Sequence, residues 1–171
     1  EELRHAQPGE MGIFARSGHI PVGYYNDPAK TAKTFVMVEG KRWLLTGDSA
    51  RLETDGSITV FGRGSNCINS GGEKIFPEEV EAVLKGHAAI FDVVVVGVPD
   101  ERFGSAVCAV VQLREGRSLT LDGVAAYCEG RLARYKLPRW LVPVEHIART
   151  PPGKPDYRAN RALALARLGL G

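Results

Sequence analysis

The stretch GRGSNCINSGGEKIFPEEVE, residues 62–81, joins two segments with opposite local demands. Its first part is rich in glycine, serine and asparagine, which turn easily and pack little. Its last part starts a helix. Pro77 suits the first helical position, where its missing N–H costs no bond, and Glu78 and Glu79 follow where the positive helix end favours acids. In the continuation FPEEVEAVLKGH, Val80, Val83 and Leu84 share one face and Gly86 can stop the helix. Residues 62–76 therefore read either as a linker or hinge, since Gly64 and the small Ser65 permit large φ/ψ changes, or as an ordinary surface loop.

The two sides of this stretch differ. Before it, MGIFARS and KRWLLTGDSARL have strand composition, and ARLETDGSITVFGR is a strand, an Asp55-Gly56 turn and a strand. Between them NDPAKTAKTF suits a short helix capped by Asp27 with Pro28 at its first position. After it, FDVVVVGVPD and SAVCAVVQLR read as buried strands. SLTLDGVAAYCEGRLARY offers a helix through Val124, Tyr127 and Cys128, PRWLVPVEHI another strand, and YRANRALALARL a closing helix.

Bulk properties exclude several classes. The 171 residues are 44% hydrophobic and 25% charged, which is globular composition, and a net charge of +2 with interleaved signs is no nucleic-acid footprint. Cys67, Cys108 and Cys128 are odd in number and form no C-x-x-C pair, so a disulfide framework or zinc site has little support and a reducing, cytoplasmic setting is expected. No apolar run is long enough for a transmembrane segment. The chain begins at Glu1 as if entered within a domain, and a fragment of a longer protein is expected.

Three places can carry chemistry. Asp48, in WLLTGDSA, lies near a strand end, where a carboxylate can accept two hydrogen bonds from a ribose diol or simply serve a turn. Arg63, at the end of the next strand of the same hairpin, can meet the same ligand. NSGGEK, with Gly71, Gly72, Glu73 and Lys74, supplies backbone N–H groups unhindered by side chains, as an anion nest does, and is equally at home as a structural turn. It matches neither a P-loop nor a G-x-G-x-x-G fingerprint. Lys154, in RTPPGKPDYR, is held among prolines with Gly153 before it, a point charge suited to phosphate oxygens or a solvated turn residue. The four histidines are scattered, and no serine has a G-x-S-x-G context.

In their order and spacing WLLTGD, GRGSNCINSGGEKIFPEEVE, VVVVGVPDERFG, YKLPRWLVPV and TPPGKPDYR resemble the C-terminal third of the adenylate-forming superfamily: acyl-CoA synthetases, peptide-synthetase adenylation domains and luciferases. The resemblance covers nearly the whole chain and is nearest to bacterial fatty-acid–CoA ligases. It implies an α+β fold: the β-rich tail end of a large N-terminal adenylation domain over 1–63, then a small mobile C-terminal α/β domain over 64–171, with a short sheet and about three helices, hinged near 64–66. It implies that ATP and a carboxylic acid give an acyl-adenylate, after which the small domain rotates and the thiol of coenzyme A displaces AMP. Asp48 and Arg63 would bind the nucleotide, Lys154 would be the catalytic cation of the first half-reaction, and the Gly71–Lys74 loop would replace it in the thioester half-reaction. Gly64 and Ser65 would form the hinge. Ser65 departs from the Asp or Lys common at the pivot, and Ser105 stands where FGE is frequent.

The phosphate loop, the acyl pocket and the acid that holds Mg²⁺ belong to the large domain of that family, so no metal site is expected in this chain. Alone it is expected to be inactive, its partners being the rest of its own N-terminal domain and the small-molecule substrates. Fatty, aromatic and steroid-derived acids all fit, and a hydrophobic substrate can bring the full-length enzyme to a membrane surface. The competing readings are the end of a peptide-synthetase adenylation domain and a non-catalytic module that binds a nucleotide, coenzyme A or a partner protein.

Overall fold

A computed structural model of the protein describes residues 3–63 and 66–171, with Arg63 described through its backbone alone. The hinge expectation at Gly64 and Ser65 lies outside the described residues. The chain divides into two compact units, Glu1–Gly64 and Ser65–Gly171.

The first unit is an antiparallel sheet organised by one long strand. Its elements are β1 (Met11–Ser17), α1 (Pro28–Thr34), β2 (Phe35–Val38), β3 (Lys41–Leu52) and β4 (Ile58–Arg63). β1 runs along one edge of β3. On the other edge β2 pairs with the start of β3 and β4 with its end. The Asp27 side chain caps α1 by accepting from the Lys30 N–H at 2.9 Å, with Pro28 in the first turn. The β3–β4 turn forms at Asp55-Gly56, where the Asp55 carboxylate accepts from Ser57 N–H at 2.9 Å.

The second unit begins with a small hairpin, β5 (Ile68–Ser70) and β6 (Glu73–Ile75), and α2 (Pro77–Leu84). β7 (Ile90–Asp100), β8 (Gly104–Leu113), α3 (Leu121–Cys128), a 3₁₀ turn (Arg134–Lys136), β9 (Trp140–Val144) and α4 (Tyr157–Leu168) follow. The sheet order is β7-β8-β9. The first pair is antiparallel and the second parallel, the latter connected through α3 as parallel strands require. Successive strand side chains point to opposite faces. Val93, Val95, Val107, Ala109 and Val111 therefore pack with Val80 and Leu84 of α2 and Val124 and Cys128 of α3. Val94, Val96, Val98, Ala106, Cys108 and Val110 pack with Val142 of β9, with Ile147 beyond it and with Ala164 of α4. The unbroken run VVVV is what a strand covered on both faces needs.

Three details differ from the sequence reading. Folded structure resumes by Ile68, so much of 62–76 is a hairpin and not a linker. α2 stops at Leu84 with Lys85 still in right-handed helical geometry, and Gly86 serves close packing instead, since a Cβ there would lie 2.7 Å from the Tyr127 hydroxyl oxygen. α3 ends at Cys128, just before Gly130 at φ +72°, so the segment up to Tyr135 is not one helix.

Candidate active site

Asp48 and Arg63 are register partners across β3 and β4. The sheet is irregular where they sit. On β1 the step from Ile13 to Ala15 faces the longer stretch from Ser49 back to Leu45 on β3, so β3 bulges there, with Gly47 at φ +80°. On the other edge the step from Ser49 to Ala50 faces Gly62 to Val60, a bulge in β4 with Gly62 at φ +80°. Each bulge is built on a glycine because φ in this range is strained for a residue with a Cβ. Bulges re-aim side chains beside them. The Thr46 hydroxyl steadies this one, accepting from Asp48 N–H at 3.2 Å and donating to the Phe14 carbonyl at 3.0 Å. Asp48 is half-buried.

In the second unit Gly71 and Gly72 are the two central residues of the β5–β6 hairpin, with φ of +59° and +90° as a type I′ turn requires. Gly71 also donates its N–H to the Phe103 carbonyl at 2.9 Å, and a Cβ on it would lie 2.8 Å from the Phe103 ring. Phe103 is itself held: the Asp100 carboxylate accepts from its N–H at 2.8 Å, and the Arg139 guanidinium lies 4.1 Å from its ring centroid. Around Gly72 there is open space. Gly71→Ala should therefore destabilise the hairpin by about 1–2 kcal/mol from φ alone, plus the contact. Gly72→Asn should cost far less, because Asn tolerates positive φ. Thermal unfolding of the two variants checks this, and equal losses would refute the close-approach role of Gly71. Glu73 and Lys74 are exposed at the start of β6.

Lys154 occupies a second miniature hairpin. Thr150 N–H donates to the Lys154 carbonyl at 2.8 Å, Gly153 N–H donates back to the Thr150 carbonyl at 2.8 Å, and Gly153 has φ +85°. Pro151, Pro152 and Gly153 thus form a three-residue loop closed by a left-handed glycine. Lys154 is exposed, and among the described residues its ammonium has no ion-pair partner. The base of the hairpin is pinned by Asn160 of α4, which is wholly buried. Its amide accepts from Ala148 N–H at 3.1 Å and donates to the carbonyls of Ala148 at 2.9 Å and Asp156 at 2.8 Å.

The two hairpins are rooted at opposite ends of β7. Arg149, at the base of the Lys154 hairpin, pairs with Asp92 near the start of that strand. The glycine turn docks on Phe103, just past Asp100 at its end. Along a strand that separation is roughly 26 Å. The structure therefore brings Asp48 and Arg63 together and keeps Lys154 apart from the glycine turn.

A buried carboxylate connects the elements behind these hairpins. Glu81 of α2 is 4% exposed, accepts from Val95 N–H at 2.9 Å, and accepts from the Tyr157 hydroxyl at 3.3 Å. Burial raises its pKa above the usual carboxylate range and also raises that of Tyr157. In the window between the ordinary and the raised value, the folded state holds a proton that the unfolded state has released. This group's contribution to stability therefore falls as pH rises through that window. Glu81→Gln, which keeps both bonds, should remove that part of the pH dependence, whereas Glu81→Leu should cost about 1–3 kcal/mol by orphaning Val95 N–H. Urea unfolding at pH 5 and pH 7 separates the two, and an unchanged pH slope in the Gln variant would refute the assignment. Cys108 and Cys128 are core residues, and burial pushes the Cys108 thiol up to about 12.

Arg149, Asn160, Glu81 and Phe103 were not singled out by the sequence reading. Asn160 did leave a signal: a polar residue at a buried position of the pattern YRANRALALARL. Among the described residues no three His, Cys, Asp or Glu side chains gather as metal ligands, and no helix is long and apolar enough to cross a membrane.

Residues 79–154 match the family model of the AMP-binding enzyme C-terminal domain. Over 150 residues the chain is 55% identical to a 3-oxocholest-4-en-26-oate–CoA ligase of Rhodococcus rhodochrous, covering 88% of this chain and 27% of that protein. It is 57% identical, with the same coverage, to a medium/long-chain-fatty-acid–CoA/3-oxocholest-4-en-26-oate–CoA ligase of Mycolicibacterium smegmatis. Among solved structures, o-succinylbenzoate–CoA synthetase of Bacillus subtilis, in complex with its acyl-adenylate intermediate, superposes with a TM-score of 0.78 at 31% identity, covering 89% of this chain and 30% of that one. Amide bond synthetase McbA of Marinactinospora thermotolerans superposes at 0.79 with 33% identity, covering 92% and 32%. The chain thus spans less than a third of the length of each of these proteins. Motif order, fold and relatives agree: the chain belongs to the adenylate-forming superfamily, whose AMP-binding C-terminal domain it carries.

Proposed function

We propose that this chain is the C-terminal part of an ATP-dependent acyl-CoA ligase for a hydrophobic carboxylic acid, with residues 1–63 closing the large domain and 64–171 forming the mobile one. A carboxylate oxygen attacks the α-phosphorus of ATP and pyrophosphate leaves. The sulfur of coenzyme A then attacks the acyl carbon, AMP leaves, and the thiol proton passes to solvent. The observation that carries this reading is the placement of the Lys154 hairpin and the glycine turn at opposite ends of β7. Two different sets of groups serve one reacting centre only if the domain turns between half-reactions, and the proposed axis is the boundary between the two units.

Lys154 places a preorganised cation on the charge that develops at the α-phosphate oxygens. Asp48 accepts hydrogen bonds from the ribose hydroxyls, with Arg63 beside it. After rotation the backbone of Gly71 and Gly72, bare of side chains, lets the thin pantetheine arm approach, with Glu73 and Lys74 at its side. Mg²⁺, when bound, would supply charge neutralisation on the phosphates, held by ligands that the family resemblance assigns to the large domain. The free thiols of Cys67, Cys108 and Cys128 fit a reducing cytoplasmic compartment. Because the relatives named above act on fatty and 3-oxocholestenoic acids, the acid is assigned to that hydrophobic class.

ATP–pyrophosphate exchange in the full-length protein bearing this chain, run across fatty, aromatic and steroid side-chain acids, tests the reading. Exchange confined to the fatty or steroid acids is expected. No exchange with any acid, in a folded protein that binds nucleotide, would refute the ligase and favour the non-catalytic module.

A further inference from the structure

We propose that Arg149 is a positioning residue that aims Lys154 for adenylate formation and has no part in thioester formation; the inference rests on the function proposed above. One guanidinium nitrogen donates to the Gly153 carbonyl at 2.7 Å, and the other pairs with Asp92. Asp92 is in turn fixed to its strand, its second oxygen accepting from Val93 N–H at 2.9 Å, and its side chain is 14% exposed. The Gly153 carbonyl belongs to the peptide plane that also holds the Lys154 nitrogen. Clamping that plane sets the direction in which the Lys154 side chain leaves the backbone.

The clamp matters because of what precedes it. Gly153 sits at φ +85° and, having no Cβ, can exchange that conformation for others at small cost. The bonds of Thr150 to the Lys154 carbonyl hold the far side of the residue and do not fix the Gly153–Lys154 plane. Arg149 supplies the missing constraint from outside the loop and refers it to β7, a strand whose two faces are both packed in the core. The Arg149 side chain is itself 41% exposed, so the pair adds little to overall stability and its effect is geometric. A lysine at this position could reach the carbonyl or Asp92 but lacks the planar fork that spans both.

Arg149→Gln and Arg149→Lys, made in the full-length enzyme, should each lower kcat for adenylate formation by on the order of 10- to 100-fold, the scale of a misplaced catalytic group. Thioester formation from supplied acyl-adenylate should stay within about twofold, since that half-reaction uses the other end of the unit. Adding Asp92→Ala to Arg149→Gln should lower the rate no further, because both changes open one clamp. In the 171-residue chain, amide hydrogen exchange should quicken over Thr150–Lys154 in Arg149→Gln and stay unchanged in β7 and β8. Equal losses in both half-reactions, full activity in Arg149→Lys, or unchanged exchange over the loop would overturn the proposal. If the wild-type enzyme makes no adenylate, the proposed function fails instead, and the exchange measurement still judges the clamp.

Discussion

Replacing Lys154 by alanine is expected to lower acyl-adenylate formation by roughly 10²- to 10³-fold, the usual effect of removing one preorganised charge from a transition state. The expectation rests on how the residue is presented. The hairpin closed by Thr150 and Gly153, with Arg149 clamping the Gly153 carbonyl, leaves the ammonium exposed on an ordered backbone, so little further ordering is needed for the role proposed for it. The loss should appear in kcat more than in KM for ATP, because the charge it meets develops during the reaction. Thioester formation from preformed adenylate should be spared, since in the proposed mechanism the glycine turn serves that step. Pyrophosphate exchange and single-turnover thioester assays on one preparation measure both quantities. A fall of similar size in both would show that Lys154 acts on stability or on a shared step.

Asn160→Leu should destabilise the second unit by about 1–3 kcal/mol, through loss of hydrogen bonds that leaves the Ala148 N–H unsatisfied. Leucine has similar bulk, so packing is nearly retained and the loss is one of polar pairing. One amide currently serves Ala148 N–H and two carbonyls from a site with no solvent access. Asp156 N–H still reaches the Ala148 carbonyl at 3.0 Å, which leaves Ala148 N–H as the main orphan. Urea unfolding of the 171-residue chain gives the number. A cost below about 1 kcal/mol would show that water replaces the amide without difficulty.

Much of this architecture can be read from local pattern. The Asp27-Pro28 helix start, the Asp55-Gly56 turn and the doubly covered VVVV strand each follow from a few neighbouring residues. The order of the motifs around Asp48, Gly71 and Lys154 carries the family. What local pattern does not carry is long-range pairing. Glu81 reads as another acid on a helix until Val95 and Tyr157 are placed beside it. Arg149 reads as one more surface cation until Asp92, far back in the chain, meets it. The stretch 62–76 misleads for a related reason: glycine and serine signal freedom in isolation, yet Gly71 is locked by its contact with Phe103.

The outer side of β7 has a consequence for how this unit behaves among other copies of itself. β7 is an edge strand, and an edge strand's unpaired N–H and C=O groups invite a strand from another molecule. Here Val95 N–H is taken by Glu81, the Gly97 carbonyl accepts from the Arg161 guanidinium at 2.8 Å, and Pro99 has no N–H to offer. The opposite edge, β9, is interrupted by Pro143. Intermolecular sheet growth is thus obstructed on both flanks, which keeps copies of this unit from seizing one another, as the rotation proposed above requires.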